Sequence, residues 1–91
     1  MKRVIIKITG KVQGVSFRQS TLAQATALGL TGYVSNLTDG SVQVLAQGSY
    51  PAVDKLISWC ETGAPMASVD NVYVEDDEAD DIYLDFSIVQ L

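Results

Sequence analysis

The sequence predicts one α+β domain, in which an antiparallel sheet of four to five strands carries two helices on one face. Three observations predict this fold class. Apolar residues alternate with period two in several short segments, they recur with helical spacing in two longer ones, and the segments follow the order β-α-β-β-α-β with one added strand. The 91 residues, 47% of them hydrophobic, suffice for one core and leave no room for a second. We therefore expect a single domain over residues 1–91.

The first elements are a strand, a glycine-containing loop and a helix. Residues 3–9 alternate β-branched side chains and predict the first strand, and residues 10–16 predict a loop. A helical period then runs from Phe17 to Leu28. Ser16 is suited to the N-cap of this helix and Gly29 to its C-terminal cap.

The later elements are a hairpin, a second helix and two strands. Residues 32–48 contain two strands that meet at Asp39-Gly40, a strong hairpin signal. The second helix begins at Pro51, carries apolar residues at i, i+3, i+4 and i+7, and ends at Gly63. The remaining strands are predicted over residues 69–74 and 83–89. This order fits the ferredoxin-like α+β sandwich.

The predicted connections bring two distant segments together. The first two strands are joined through a helix, so both run in the same direction and end at the same edge of the sheet. The loop Gly10–Phe17 follows the first of these strands, and the second ends near Asn36. We therefore expect Asn36 to lie beside that loop.

Composition excludes several classes of partner and site. The chain has no histidine, which removes Ser-His triads and most zinc sites. Six of the eleven acidic residues lie between residues 75 and 81, and their spacing is that of a solvated connecting loop rather than an EF-hand. The remaining five acidic residues nearly balance the six basic residues in number, so the chain has no basic stripe that could bind a nucleic acid. No stretch of about 18 apolar residues predicts a membrane span. The single cysteine, Cys60, and the absence of a signal-like apolar run favour a cytoplasmic protein.

The stretch "GKVQGVSFRQS", Gly10 to Ser20, has the features of an anion site. A helix N-terminus carries partial positive charge, so Arg18 at the helix start is mildly unfavourable unless an anion binds there. Glycines allow successive backbone N–H groups to form a concave nest, and arginine offers a planar fork of donors to phosphate oxygens. An arginine that merely points into solvent would fit the same spacing.

Two segments then resemble the signatures of one family. "ITGKVQGVSFR" (Ile8 to Arg18) resembles the first signature of the acylphosphatases, and "GYVSNLTDGSVQVLAQG" (Gly32 to Gly48) resembles the second. The resemblance implies an enzyme that hydrolyses the carboxyl–phosphate bond of acyl phosphates to a carboxylate and inorganic phosphate by direct attack of a positioned water. It implies that Arg18 binds the phosphoryl group and that Asn36 positions the water. It also implies that backbone amides assist Arg18, namely those of the loop residues Val12, Gln13, Gly14, Val15, Ser16 and Phe17.

The resemblance further implies a metal-independent enzyme without a cofactor, with inorganic phosphate as product and competitive inhibitor, and we expect a monomer. Ser35 departs from the family pattern, in which this position is often basic or larger; strand alternation should point it away from Asn36. Lys11 is expected in solvent, and Asp39 in the turn.

Two other functions fit parts of the sequence. A regulatory module that binds a small anion could use the same loop, although it would have no need for Asn36. A domain of a larger maturation enzyme could carry the same signatures. Tyr33 and Trp59 are expected to pack, and exposed aromatics with basic flanks, which RNA binding needs, are not evident.

Overall fold

A computed structural model describes all residues, 1–91, and contains five strands and two helices. In chain order the elements are β1 (Lys2–Lys11), α1 (Phe17–Ala27), β2 (Thr31–Asn36), β3 (Val42–Gly48), α2 (Tyr50–Thr62), β4 (Ser68–Asp76) and β5 (Phe86–Ile88). The predicted element order is confirmed. Neither helix has the length and apolar content that crossing a membrane would need.

The five strands form one sheet in the order β4-β1-β3-β2-β5. Both β1 and β2 pair antiparallel with β3, so they run in the same direction, as predicted. One pair departs from the predicted antiparallel sheet, because β5 pairs parallel with β2. The topology explains this: β4 ends where β1 and β2 begin, residues 77–85 cross to the opposite edge of the sheet there, and the chain returns along β2 in the same direction.

The core lies between one face of the sheet and both helices. Alternate side chains of β1, β2 and β3 point to this face, and Val4, Val34 and Val44 are among those fully buried. They join apolar residues from the two helices in one cluster, including Phe17 of α1 and Leu56 of α2. The predicted placement of both helices on one face is confirmed.

Several boundaries differ from the predicted ones. β1 continues to Lys11, because a bulge between Thr9 and Gly10 lets its pairing with β4 resume. β4 continues through Glu75 and Asp76, whose exposed side chains are tolerated on an edge strand. The predicted last strand is shorter than expected and spans only residues 86–88.

The acidic segment is tied to the sheet rather than wholly solvated, which corrects the prediction. The Arg3 guanidinium contacts Asp77 and Asp81, each at 2.6 Å, and the side chain of Arg3 is only 9% exposed. Arg3 also lies over the Tyr83 ring, which packs against Tyr33. We call Arg3, Asp77, Asp81 and Tyr83 the Arg3 cluster.

Candidate active site

The carboxyl ends of β1 and β2 lie at one edge of the sheet and border a cleft of about 350 Å³. This volume suits a small ligand. The cleft receives residues from the loop after β1, the first turn of α1, the end of β2 and the end of β5. Its lining consists of Val12, Gly14, Ser16, Phe17, Arg18, Gln19, Asn36 and Ile88.

The helix start beside the cleft has no side-chain cap. Ser16 occupies the N-cap position, as predicted, but its backbone is left-handed (φ 60°) and its side chain caps no N–H group. At the start of α2, by contrast, the Ser49 hydroxyl accepts a hydrogen bond from the Ala52 amide at 3.3 Å. The first N–H groups of a helix have no partner within the helix. Those of α1 therefore remain available to an anion.

Arg18 and Gly14 complete the polar end of the cleft. Arg18 is exposed and makes no ion pair, and no acidic residue lies in the first turn of α1. Gly14 has φ 74°, and a Cβ added there would meet nothing within 4 Å. The backbone conformation at this position, which turns the loop toward the helix start, therefore favours glycine.

Asn36 carries a buried polar atom with no partner. Its carboxamide oxygen is inaccessible to solvent and accepts no hydrogen bond from the protein. Asn36 is opposite Val42 in the ladder, and Val42 points into the core, so the asparagine side chain lies on the helix side of the sheet. Buried polar groups are nearly always hydrogen-bonded. The missing partner is not in the protein, and Asn36 itself lines the cleft.

Gln13 connects the loop to the β2–β3 turn. Its side-chain amide donates to the carbonyl oxygens of Leu37 at 2.8 Å and Ser41 at 2.9 Å. The Ser41 carbonyl also accepts from the Leu37 amide at 2.8 Å. Both donors of Gln13 are therefore used to hold the loop against the turn that follows Asn36.

The candidate residues divide into two groups. Six of the eight expected site residues line the cleft, and the Gln13 and Val15 side chains do not; Val15 packs partly against the core. Sequence reasoning missed Gln19 and Ile88. Gln19 follows Arg18 in the first helical turn and could have been inferred from that position. Ile88 is brought there by strand pairing, for which the sequence has no local signal.

The remaining candidate residues lie where they were expected or take structural roles. Ser35 is fully buried on the sheet face opposite Asn36. Lys11 is exposed, and Asp39 accepts from the Ser41 amide at 3.0 Å within the turn. Trp59 packs against Phe17 with ring centroids 5.5 Å apart.

The chain offers few other reactive groups. Burial raises the pKa of the Cys60 thiol to about 12, so this cysteine is a core residue and not a thiolate nucleophile at neutral pH. No three His, Cys, Asp or Glu residues are grouped to hold a metal ion. Fold and cleft together define a small α+β domain with a cleft bordered by an exposed arginine and an uncapped helix start.

Comparison with known proteins agrees with this class. The family model described as Acylphosphatase matches residues 4–88. An acylphosphatase of Shewanella amazonensis is 63% identical over 90 residues, which are 99% of each chain. The crystal structure of acylphosphatase from Bacillus subtilis superimposes with a TM-score of 0.93 at 32% identity and covers 98% of this chain and 99% of that one. The acylphosphatase from Coxiella burnetii gives 0.91 at 39% identity, over 97% and 92% of the two chains.

The chain therefore belongs to the acylphosphatase family, and its activity is that of the family, the hydrolysis of acyl phosphates. The predicted family, fold class and enzymatic function are confirmed.

Proposed function

We propose that the enzyme hydrolyses acyl phosphates by direct attack of a water held by Asn36 on a phosphoryl group held by Arg18. The observation that carries this proposal is that Asn36, whose carboxamide oxygen has no protein partner, lines the same cleft as Arg18 and an uncapped helix start. The phosphoryl oxygens would accept from the guanidinium and from backbone amides of the loop. The Asn36 carboxamide, turned so that its oxygen reaches the cleft, would accept a hydrogen bond from the attacking water and so orient it.

The residues suit this reaction without a protein base. A carboxylate is a good leaving group, so positioning and charge stabilisation supply most of what the reaction needs. Arg18 and the helix N-terminus carry the positive charge that a metal ion would otherwise supply. A phosphoryl oxygen can take the proton of the water, which is consistent with a cleft lining that contains no acid and no histidine. We therefore propose a metal-independent reaction that product phosphate inhibits competitively.

The form of the protein is also part of the proposal. We infer a single-domain, monomeric and cytoplasmic enzyme. One extended sheet and one core include elements from the whole chain. The one cysteine is free and buried, in keeping with a reducing compartment.

The test is hydrolysis of benzoyl phosphate by the purified protein after dialysis against EDTA, with inorganic phosphate added at several substrate concentrations. We expect full activity without metal and competitive inhibition by phosphate. Activity that returns only with magnesium or zinc would overturn the metal-free mechanism. Purely noncompetitive inhibition would place the anion site elsewhere, and phosphate binding without turnover would favour the anion-binding module.

A further inference from the structure

We propose that Ile88 determines the preference for the acyl half of the substrate, by offering the apolar surface against which that group packs. The inference rests on the proposed function and deepens it. It assigns the substrate class as acyl phosphates with an apolar acyl group, aromatic or aliphatic. The phosphoryl end of the cleft would be common to all substrates, whereas the Ile88 end would distinguish between them.

Strand pairing places Ile88 at the reaction centre. Ile88 is opposite Val34 in the parallel β2–β5 ladder, and Asn36 lies two residues beyond Val34 on the same strand. Side chains two residues apart in a strand share a face. Ile88, Val34 and Asn36 are therefore on the helix side of the sheet, where Ile88 faces the first turn of α1 across the cleft.

Ile88 is the apolar lining residue that a ligand can reach. The cleft has three hydrophobic lining residues, and two of them, Val12 and Phe17, are each only 1% exposed because they belong to the core. Ile88 is half-buried and keeps accessible surface. A substrate whose phosphoryl group is bound near Arg18 would therefore find Ile88 as its apolar contact. Apolar surface removed from water on binding favours association in proportion to its area.

The backbone holds Ile88 firmly in place. Before it, the Gly32 amide donates to the Asp85 carbonyl at 2.9 Å, and after it, the Val89 amide donates to the Val34 carbonyl at 3.0 Å. The Leu91 amide then donates to the Ser35 hydroxyl at 3.2 Å. Ser35 is fully buried beside this segment. A wall fixed before the ligand arrives loses little entropy on binding.

The experiment compares two substrates that share the phosphoryl group, benzoyl phosphate and acetyl phosphate. In Ile88→Ala we expect KM for benzoyl phosphate to rise roughly three- to tenfold, and KM for acetyl phosphate to change less than about twofold. The inhibition constant of inorganic phosphate should stay the same. Ile88→Val should give a smaller shift in the same direction. Val72→Ala, a half-buried apolar residue on the opposite edge of the sheet, is the matched control and should leave both KM values unchanged.

The outcomes separate this inference from the proposed function. An active wild-type enzyme whose ratio of KM values is unchanged in both Ile88 variants would overturn the role of Ile88 and leave the function intact. An equal rise for both substrates would also overturn it, because it would indicate a displaced strand rather than a lost acyl contact. A wild-type protein that hydrolyses neither substrate would overturn the proposed function and, with it, the inference. Urea unfolding of each variant identifies changes that come from lost stability.

Discussion

At the scale of single residues, the proposed mechanism divides binding from chemistry between two elements. Arg18 stands at the start of α1 and supplies charge, whereas Asn36 ends β2 and supplies one unpaired oxygen. The two groups differ in what a substitution removes. On that mechanism, loss of the guanidinium would weaken every state that carries a phosphoryl charge, whereas loss of the carboxamide would affect only the state that contains the attacking water.

Arg18→Ala should lower kcat/KM about 10²-fold or more and weaken inhibition by phosphate, because a preorganised donor to the transferring group is lost. Circular dichroism should be unchanged, since Arg18 is exposed and makes no ion pair. Lys11→Ala is the control: it removes an exposed positive charge near the same loop and should change kcat/KM only slightly. Retention of more than about a tenth of wild-type activity in Arg18→Ala would remove Arg18 from its role.

Asn36→Ala should lower kcat about 10²-fold while the inhibition constant of phosphate changes less than about twofold. The fold should tolerate the change, since the carboxamide oxygen has no protein partner to lose. Asn71→Ala, which removes an exposed asparagine from β4, serves as the control. If phosphate affinity fell as much as turnover, Asn36 would be a ligand-binding residue, and the anion-binding module would gain support.

At the scale of elements, the site depends on how the loop after β1 is held against the β2–β3 turn. Gln13 makes this connection with two donated hydrogen bonds. Gln13→Glu keeps the shape but replaces the donor with a carboxylate facing two carbonyl oxygens, and Gln13→Met removes the donor without adding charge.

We expect Gln13→Met to lower the free energy of unfolding by about 1–3 kcal/mol, because two hydrogen bonds are lost and the Leu37 and Ser41 carbonyls each keep only one of two partners. Turnover should fall about tenfold as Arg18 and Asn36 lose their relative placement. Gln13→Glu should lower both the free energy of unfolding and turnover further than Gln13→Met does. Gln24→Glu is the control for Gln13→Glu, because it adds the same negative charge at another half-buried side chain, in α1. Urea unfolding and kcat measure the two effects, and full activity in Gln13→Met would contradict this role.

How much of this could be predicted from the sequence depends on whether the signal is local. The hydrophobic periodicities that predict α1 and the β2–β3 hairpin are local signals, and both elements are confirmed. The loop glycines and Arg18 are likewise read from one short stretch of sequence. The parallel direction of β5 was not predicted, because it follows from where residues 77–85 cross the sheet. The positions of Ile88 and of the Gln13 side chain depend on the same long-range packing.

At the scale of the whole molecule, the last two strands of the chain, β4 and β5, lie at opposite edges of the sheet, so the chain must cross from one edge to the other. Residues 77–85 make that crossing, and the Arg3 cluster fixes them to the start of β1. The Asp77 amide also donates to the Arg3 carbonyl at 3.0 Å. β5 follows this crossing and carries Ile88, which lines the cleft. The Arg3 cluster therefore helps to hold β5 in place, although the cluster lies at the opposite end of the sheet from the cleft.

The cluster should give the protein a specific sensitivity to acid. The hydrogen bond from Arg3 holds the pKa of Asp81 below its usual range. A carboxyl whose pKa is lowered in the folded state contributes stability above its unfolded pKa, near 4, and loses it as the pH falls through the lower folded value. Desolvation acts to lower the pKa of Arg3, but its bonds to Asp77 and Asp81 outweigh this, so Arg3 stays charged throughout.

Asp81→Asn should therefore be less stable than wild type at pH 7, with a difference that shrinks as the pH falls below about 4. The substitution also removes one negative charge from a chain of net charge -5, which by itself relieves repulsion. Asp80→Asn measures that relief alone, because Asp80 is an exposed neighbour without an ion pair. Urea unfolding from pH 3 to pH 7 decides the matter: a gap between Asp81→Asn and Asp80→Asn that does not change with pH would mean that the Asp81 charge does not hold the crossing segment.

Arg3→Met should lower the free energy of unfolding by about 2 kcal/mol at pH 7, since it leaves the mostly buried Asp77 unpaired. Lys2→Met loses only an exposed pair and should lower it by less than about 1 kcal/mol in the same urea measurement.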